Sequence, residues 1–271
     1  MALRRLQWIT ILACFMTLVQ PVWSAESEED ALGLNIELSL QSAFVFRGYN
    51  VFQQDGQRDL NMLLAPGLSW SIPDSGWTLA YWGAFQVSGN NLSALIEAGV
   101  GAEQDLIFIY ERELAGGLSM EFSLCWYLFP FASEEVAGSS FPVFVEPALK
   151  LKRSLGLDFS LALSYFFGLQ FVEGIRDYSH LYLRPAVGKS FALTEWLGLE
   201  LSLGYGYKLM IDGNSGRDNL HDIDLALNLP LSLPHGVYLL PGVHLGWSDL
   251  SETGFADELL VWGGLVAGVD L

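Results

Sequence analysis

A chain of 271 residues with a formal net charge of −18 is a poor partner for nucleic acid, whose phosphates need clustered Lys and Arg. It is 51% hydrophobic and 13% aromatic, yet beyond residue 25 no run of about 18 apolar residues occurs, which excludes a membrane-crossing helix there. Apolar residues this abundant, and this regularly interrupted by polar ones, leave a β-sandwich, a soluble barrel or a transmembrane barrel.

The first residues form a separate object. Arg4 and Arg5 precede an apolar stretch, residues 6–19, and Val22-Trp23-Ser24 offers a small residue for cleavage before Ala25. Residues 1–24 therefore read as a secretory signal peptide. Cys14 lies inside the apolar stretch, which runs on past it, against a lipoprotein site. Once the leader is gone Cys125 is the single cysteine, so no intramolecular disulfide can form. Residues 25–33, with Glu26, Glu28, Glu29 and Asp30, read as an acidic leader ahead of a barrel domain, 34–271.

From residue 34 to 47 the chain alternates. Leu34, Ile36, Leu38, Leu40, Ser42, Phe44 and Phe46 take one side; Asn35, Glu37, Ser39, Gln41, Ala43, Val45 and Arg47 take the other. Side chains alternate across a strand, so this predicts one long strand with a greasy face and a polar face. A tilted bilayer-crossing strand needs roughly 9–11 residues, which such a run exceeds. The same rhythm predicts further strands at 59–72, 77–87, 104–112, 118–129, 142–151 and 157–171, then at 180–190, 197–210, 220–231, 237–247 and 259–271. Residues 88–103 read as a long loop, with residues 94–102 as an alternative extension of the strand that follows. The connections alternate between long and short, the habit of outer-membrane barrels with short periplasmic turns and longer external loops. The predicted fold is all-β: a transmembrane antiparallel β-barrel of about twelve strands.

Charge placement separates this barrel from a soluble one. On the greasy faces only Arg112 and Lys189 are charged, both at strand ends where a long side chain can snorkel. The opposite faces carry Glu37, Arg47, Glu121, Glu146, Lys150, Arg184, Glu200, Lys208, Asp222 and Asp224, the candidate pore-lining residues. A soluble barrel would invert this arrangement; a polar lumen inside an apolar shell is the membrane solution. Trp70, Trp77, Trp126, Phe171 and Trp247 lie near strand ends, as interfacial girdles do. Leu265, Ala267, Val269 and Leu271 alternate up to the last residue, as in a barrel-assembly signal, though such signals usually end on an aromatic. Two features cut across the pattern. Pro66, Pro147, Pro185 and Pro241 fall inside strands, which predicts a repeated bulge. Leu63, Trp82, Ile107, Ile109, Phe144, Phe166, Leu240 and Trp262 point inward, so the lumen is partly plugged by side chains or handles something less polar than ions.

Phe44-Val45-Phe46-Arg47-Gly48, followed by Asp55-Gly56, resembles the opening hairpin of the TorF-type family of bacterial porins. The resemblance covers residues 34–87. It implies an outer-membrane barrel and says little about the solute. Outer-membrane lipids, small solutes and the barrel-assembly machinery are the expected partners.

No catalytic residue is assigned. His180 follows Tyr178-Ser179, but a barrel lipid hydrolase needs serine, histidine and an orienting group together, so His180 reads as a loop-end histidine. Asp222-Ile223-Asp224 beside His221 reads as wet lumen wall, and Asp212-Gly213-Asn214 lacks the closing Glu of a calcium loop. No metal or cofactor is expected. Arg47 is either a cation guarding the pore or the internal partner of Glu37 or a neighbouring-strand carboxylate; a buried charge must be paired, which favours the second. Glu134, Glu135, Asp249, Glu252, Asp257 and Glu258 would lie beside lipid phosphates, either bridged to them by divalent cations or simply solvated. Carboxylates outnumber cations on the inner face. The expected function is a passive channel for small solutes that prefers cations. The alternatives are a closed structural or surface-interaction barrel, or a lipid-modifying enzyme resting on His180.

Overall fold

The computed structural model describes residues 32–51, 62–88, 103–130, 143–168, 179–211, 220–249 and 259–271. Twelve long strands follow one another: β1 (Leu34–Gln41), β2 (Leu63–Ser71), β3 (Trp77–Gln86), β4 (Glu103–Leu114), β5 (Leu118–Leu128) and β6 (Val143–Ser154). They continue as β7 (Asp158–Gly168), β8 (His180–Ala192), β9 (Gly198–Met210), β10 (Leu220–Asn228), β11 (Val237–Ser248) and β12 (Leu259–Asp270). Each pairs antiparallel with its sequence neighbours, and β12 pairs with β1, from Asn35 opposite Asp270 to Gln41 opposite Gly264. Leu271 N donates to Leu34 O at 2.8 Å, which seals the seam at its end. A closed antiparallel barrel leaves no unpaired edge, the condition for placing strands in hydrocarbon.

The faces divide as the alternation predicts. Ile36, Leu38, Leu68, Phe108, Leu161, Leu163, Leu203 and Leu225 stand outward and exposed, with Leu203 and Leu225 each at 46%. No soluble monomer leaves so continuous an apolar belt in water, and a bilayer is the solvent that covers it. Trp70, Trp77 and Trp247 are exposed near strand ends, and Trp77 packs on Tyr110 with ring centroids 4.9 Å apart. Phe171 lies outside the described residues. No described helix is long and apolar enough to cross a membrane; strands do the crossing.

Three expectations need correction. The first strand does not run to residue 47. It ends at Gln41, and Phe44 and Phe46, expected outward, are buried inside the barrel. Ser42 still bonds the wall, its N–H to Gly263 O at 2.8 Å and its Oγ accepting from Gly263 N at 3.0 Å; past that point the chain leaves the sheet. Second, the prolines make no bulge. Around Pro66, β2 pairs with β3 as Leu64 opposite Phe85 and then Gly67 opposite Trp82, in unchanged register, while Pro66 itself lies opposite Leu38 on β1. Pro147 and Pro185 behave alike: the ladder on one side skips two pairs and resumes, and the ladder on the other runs through. A missing N–H interrupts hydrogen bonding toward one neighbour without inserting a residue. Third, β4 begins at Glu103, inside the expected loop, and reaches Leu114. Smaller shifts follow elsewhere: β6 extends to Ser154 and β8 to Ala192, and Pro230 separates β10 from the short piece Leu231–Ser232, which pairs with β11.

Candidate functional site: a hairpin across the lumen

Inside the barrel, Val45–Phe46 pairs with Tyr49–Asn50 around the turn Arg47-Gly48. Both turn residues have positive φ, +48° at Arg47 and +77° at Gly48, the signature of a type I′ hairpin. Gly48 is required there twice over. Its backbone is left-handed, and a Cβ would stand 2.7 Å from Asp222 Cβ and 2.6 Å from Ser248 Cβ. The walls of β10 and β11 thus press on the turn from one side. On the other side Phe44 packs against Trp82 of β3, ring centroids 5.5 Å apart.

Arg47 reaches the far wall. Its guanidinium, with no exposed side-chain surface, ion-pairs through Nη2 with Glu146 of β6 and donates to Ser164 Oγ of β7 at 3.2 Å. Nη1 meets His180 Nε2 of β8. A guanidinium only donates, so in this contact the ring nitrogen is the acceptor. The cation also lies 4.2 Å over the Tyr182 ring and 4.5 Å from the Phe46 ring. Glu146 is completed by the Tyr127 hydroxyl, which donates to Oε2 at 2.7 Å. An apolar stack backs this centre: Phe144 on Phe166 at 4.9 Å, and Phe166 on His180 at 5.1 Å.

The network continues along the wall. Tyr182 donates to Asp222 at 2.9 Å, and Arg184 Nη2 donates to Asp224 at 3.3 Å while its Nη1 lies 3.8 Å from Asp222. His244 sits 3.5 Å from Asp224 and stacks on Trp262. Toward the tight turns, Lys152 binds Glu111 at 3.0 Å and Glu121 at 2.7 Å, and Lys150 stands opposite Glu121 in register. Glu37 accepts from the Tyr238 hydroxyl at 3.2 Å.

Of the ten residues expected along the lumen, the structure therefore gathers Arg47, Glu146, Arg184, Asp222 and Asp224 around the hairpin. Lys208 is buried on β9 in register with Tyr182. Glu121 and Lys150 form a separate group, and Glu37 and Glu200 stand apart from both. Among the described residues Glu37, Glu103 and Glu200 form no ion pair. The partner of Arg47 is Glu146, not Glu37 or a carboxylate on an adjoining strand, because leaving the sheet at Ser42 carries residue 47 across the lumen. His180 stands at the loop end of β8, as its first residue, and faces inward, 2% exposed and against Arg47. Sequence reasoning left out Glu103, Tyr127, Ser164 and Tyr182. The last three occupy inward positions of the same alternation and were findable; Glu103 was hidden at a strand boundary. The acidic connections and Asp212-Gly213-Asn214 fall outside the described residues except Asp249, whose Oδ1 accepts from His221 N at 2.7 Å.

This architecture recurs among solved structures. The COG4313 outer membrane channel from Pseudomonas putida F1 matches 90% of this chain and 99% of its own, with a TM-score of 0.55 and 10% identity. The KdgM porin, solved in complex with disordered oligogalacturonate, matches over 88% and 98%, with a TM-score of 0.50 and 10% identity. At such identities the likeness is one of fold: the chain has the architecture of outer-membrane barrels. No protein-family model matches the chain, and no curated protein does. The likeness to TorF-type porins thus rests on Phe44, Val45, Phe46, Arg47 and Gly48, which here build the inward hairpin.

Proposed function

We propose that this chain is a bacterial outer-membrane channel that passes small solutes passively and prefers cations. The observation that carries the reading is a lumen walled with charged and hydroxyl side chains inside an apolar shell. Most of the ten candidate residues stand on that inner face, joined by Glu103 and Asp105, buried at the head of β4. Cation preference follows from the balance of charge on the inner face. Glu37, Asp105, Glu111, Glu121, Glu146, Asp158, Glu200, Asp222, Asp224 and Asp270 outnumber Arg47, Lys150, Lys152, Arg184 and Lys208 there. A net negative wall attracts cations and repels anions at short range. The chain is exported through residues 1–24, inserted by the barrel-assembly machinery and surrounded by lipid. Reversal potentials in planar bilayers under a salt gradient test this; the expected sign is cation-selective, and clear anion selectivity refutes it.

One observation favours a second reading. The hairpin occupies the lumen, as it would in a closed structural or surface-interaction barrel. A lipid-modifying role has less support, because His180 faces Arg47 in the interior, away from the lipid surface where such an enzyme meets its substrate.

A further inference from the structure

We propose that the hairpin of residues 43–51 is a gate across the lumen, latched by Arg47, and that the channel conducts when the latch releases. The inference rests on the channel reading above. The hairpin meets six of the twelve wall strands: Phe44 on β3, Arg47 on β6, β7 and β8, and Gly48 on β10 and β11. A solute crossing the barrel has to displace it or squeeze past it.

Three features make its position conditional. Its own ladder is two residues long on each side, too short to persist without support from the wall. Arg47 holds a left-handed backbone that a non-glycine residue adopts only under external constraint. Asn50 is 1% exposed, and neither its amide oxygen nor its amide nitrogen has a partner among the described residues. Undocking relaxes the turn and lets the amide meet water. Against these stands one concentrated centre, Arg47 with Glu146, Ser164, His180 and the Tyr182 ring. An element held by one centre and opposed by its own strain is bistable, and loss of that centre shifts its population.

The test uses the refolded full-length barrel in planar bilayers, with folding checked by heat-modifiable gel migration. Glu146→Gln removes the carboxylate of the latch and keeps its shape; open probability is expected to rise roughly tenfold. In a Cys125→Ser background, Phe44→Cys with Trp82→Cys ties the hairpin to β3. The two rings pack with centroids 5.5 Å apart, so a short bis-methanethiosulfonate spans the thiols that replace them. The bridged barrel is expected to be silent and to recover conductance in reductant. Equal conductance in bridged and reduced forms overturns the gate and leaves the channel standing. No conductance from wild type, Glu146→Gln or the reduced double cysteine overturns the channel reading, and the gate falls with it.

Discussion

A guanidinium with no exposed surface persists inside a barrel only where a carboxylate, hydrogen-bond acceptors and aromatic faces replace its water, and Arg47 has all three. Removing one partner of a buried pair costs more than removing both. Arg47→Ala strands Glu146 against Tyr127, and about 3–5 kcal/mol of stability is expected to go, read from urea unfolding of the refolded barrel. Combining it with Glu146→Gln is expected to recover part of that loss, because the two effects are not additive in a shared network. Arg47→Lys keeps the charge but loses the fork and the stacking on Tyr182, so it is expected to fall between wild type and Arg47→Ala. A loss under about 1 kcal/mol for Arg47→Ala means the pair does not hold the interior. Gly206 offers an independent check on the neighbouring centre. A Cβ there meets Asp222 Oδ2 at 2.1 Å and the Tyr182 hydroxyl at 2.2 Å. Gly206→Ala is expected to cost about 1–3 kcal/mol in the same unfolding experiment by pushing that hydrogen-bonded pair apart.

Along a strand, what matters is which way each residue faces. Leu203 faces out at mid-strand and Ser202, its neighbour, faces in. Leu203→Arg is expected to cost about 2–4 kcal/mol in lipid, since charge at the bilayer midplane has no solvent. Ser202→Lys is expected to cost less than about 1 kcal/mol, because its head group stays in the aqueous lumen. Equal costs at the two positions would show that the outer face is not in hydrocarbon. The period of two made these faces and the existence of the twelve strands readable from residue order, with most strand ends displaced by one to a few residues. It failed at residues 42–51 for a physical reason. Alternation reports alternate burial, and a short hairpin turned inward, with Phe44 on Trp82 and Phe46 buried beside Arg47, alternates just as a membrane strand does. Arg47-Gly48 held the missing signal, since a Gly at the second turn position suits a type I′ turn. The prolines misled in the opposite direction: each looked like a break in the strand, and each costs only a donor on one side. The cross-lumen meeting of Arg47 with Glu146 has no local trace, because it depends on where a whole segment crosses.

For the molecule as a whole, antiparallel order puts every tight turn at the end of the barrel that holds Leu34 and Leu271, and every long connection at the other. The turn after β2 shows how compact the first kind is. Ser75 Oγ donates to Ile72 O at 2.8 Å, Asp74 and Gly76 take positive φ, and the two strands resume at once. Short turns of this kind cross a bilayer easily during insertion, whereas longer acidic connections stay on the external side. The orientation that follows places residues 72–76 in the periplasm and residue 215, between β9 and β10, outside the cell. Single cysteines at Ser75 and at Ser215, in a Cys125→Ser background, put this to a test with a membrane-impermeant maleimide. Ser215→Cys is expected to label in intact cells, and Ser75→Cys only after the outer membrane is opened. Labelling of Ser75→Cys alone in intact cells would invert the barrel, and the hairpin latched by Arg47 would then guard the periplasmic mouth instead of the external one.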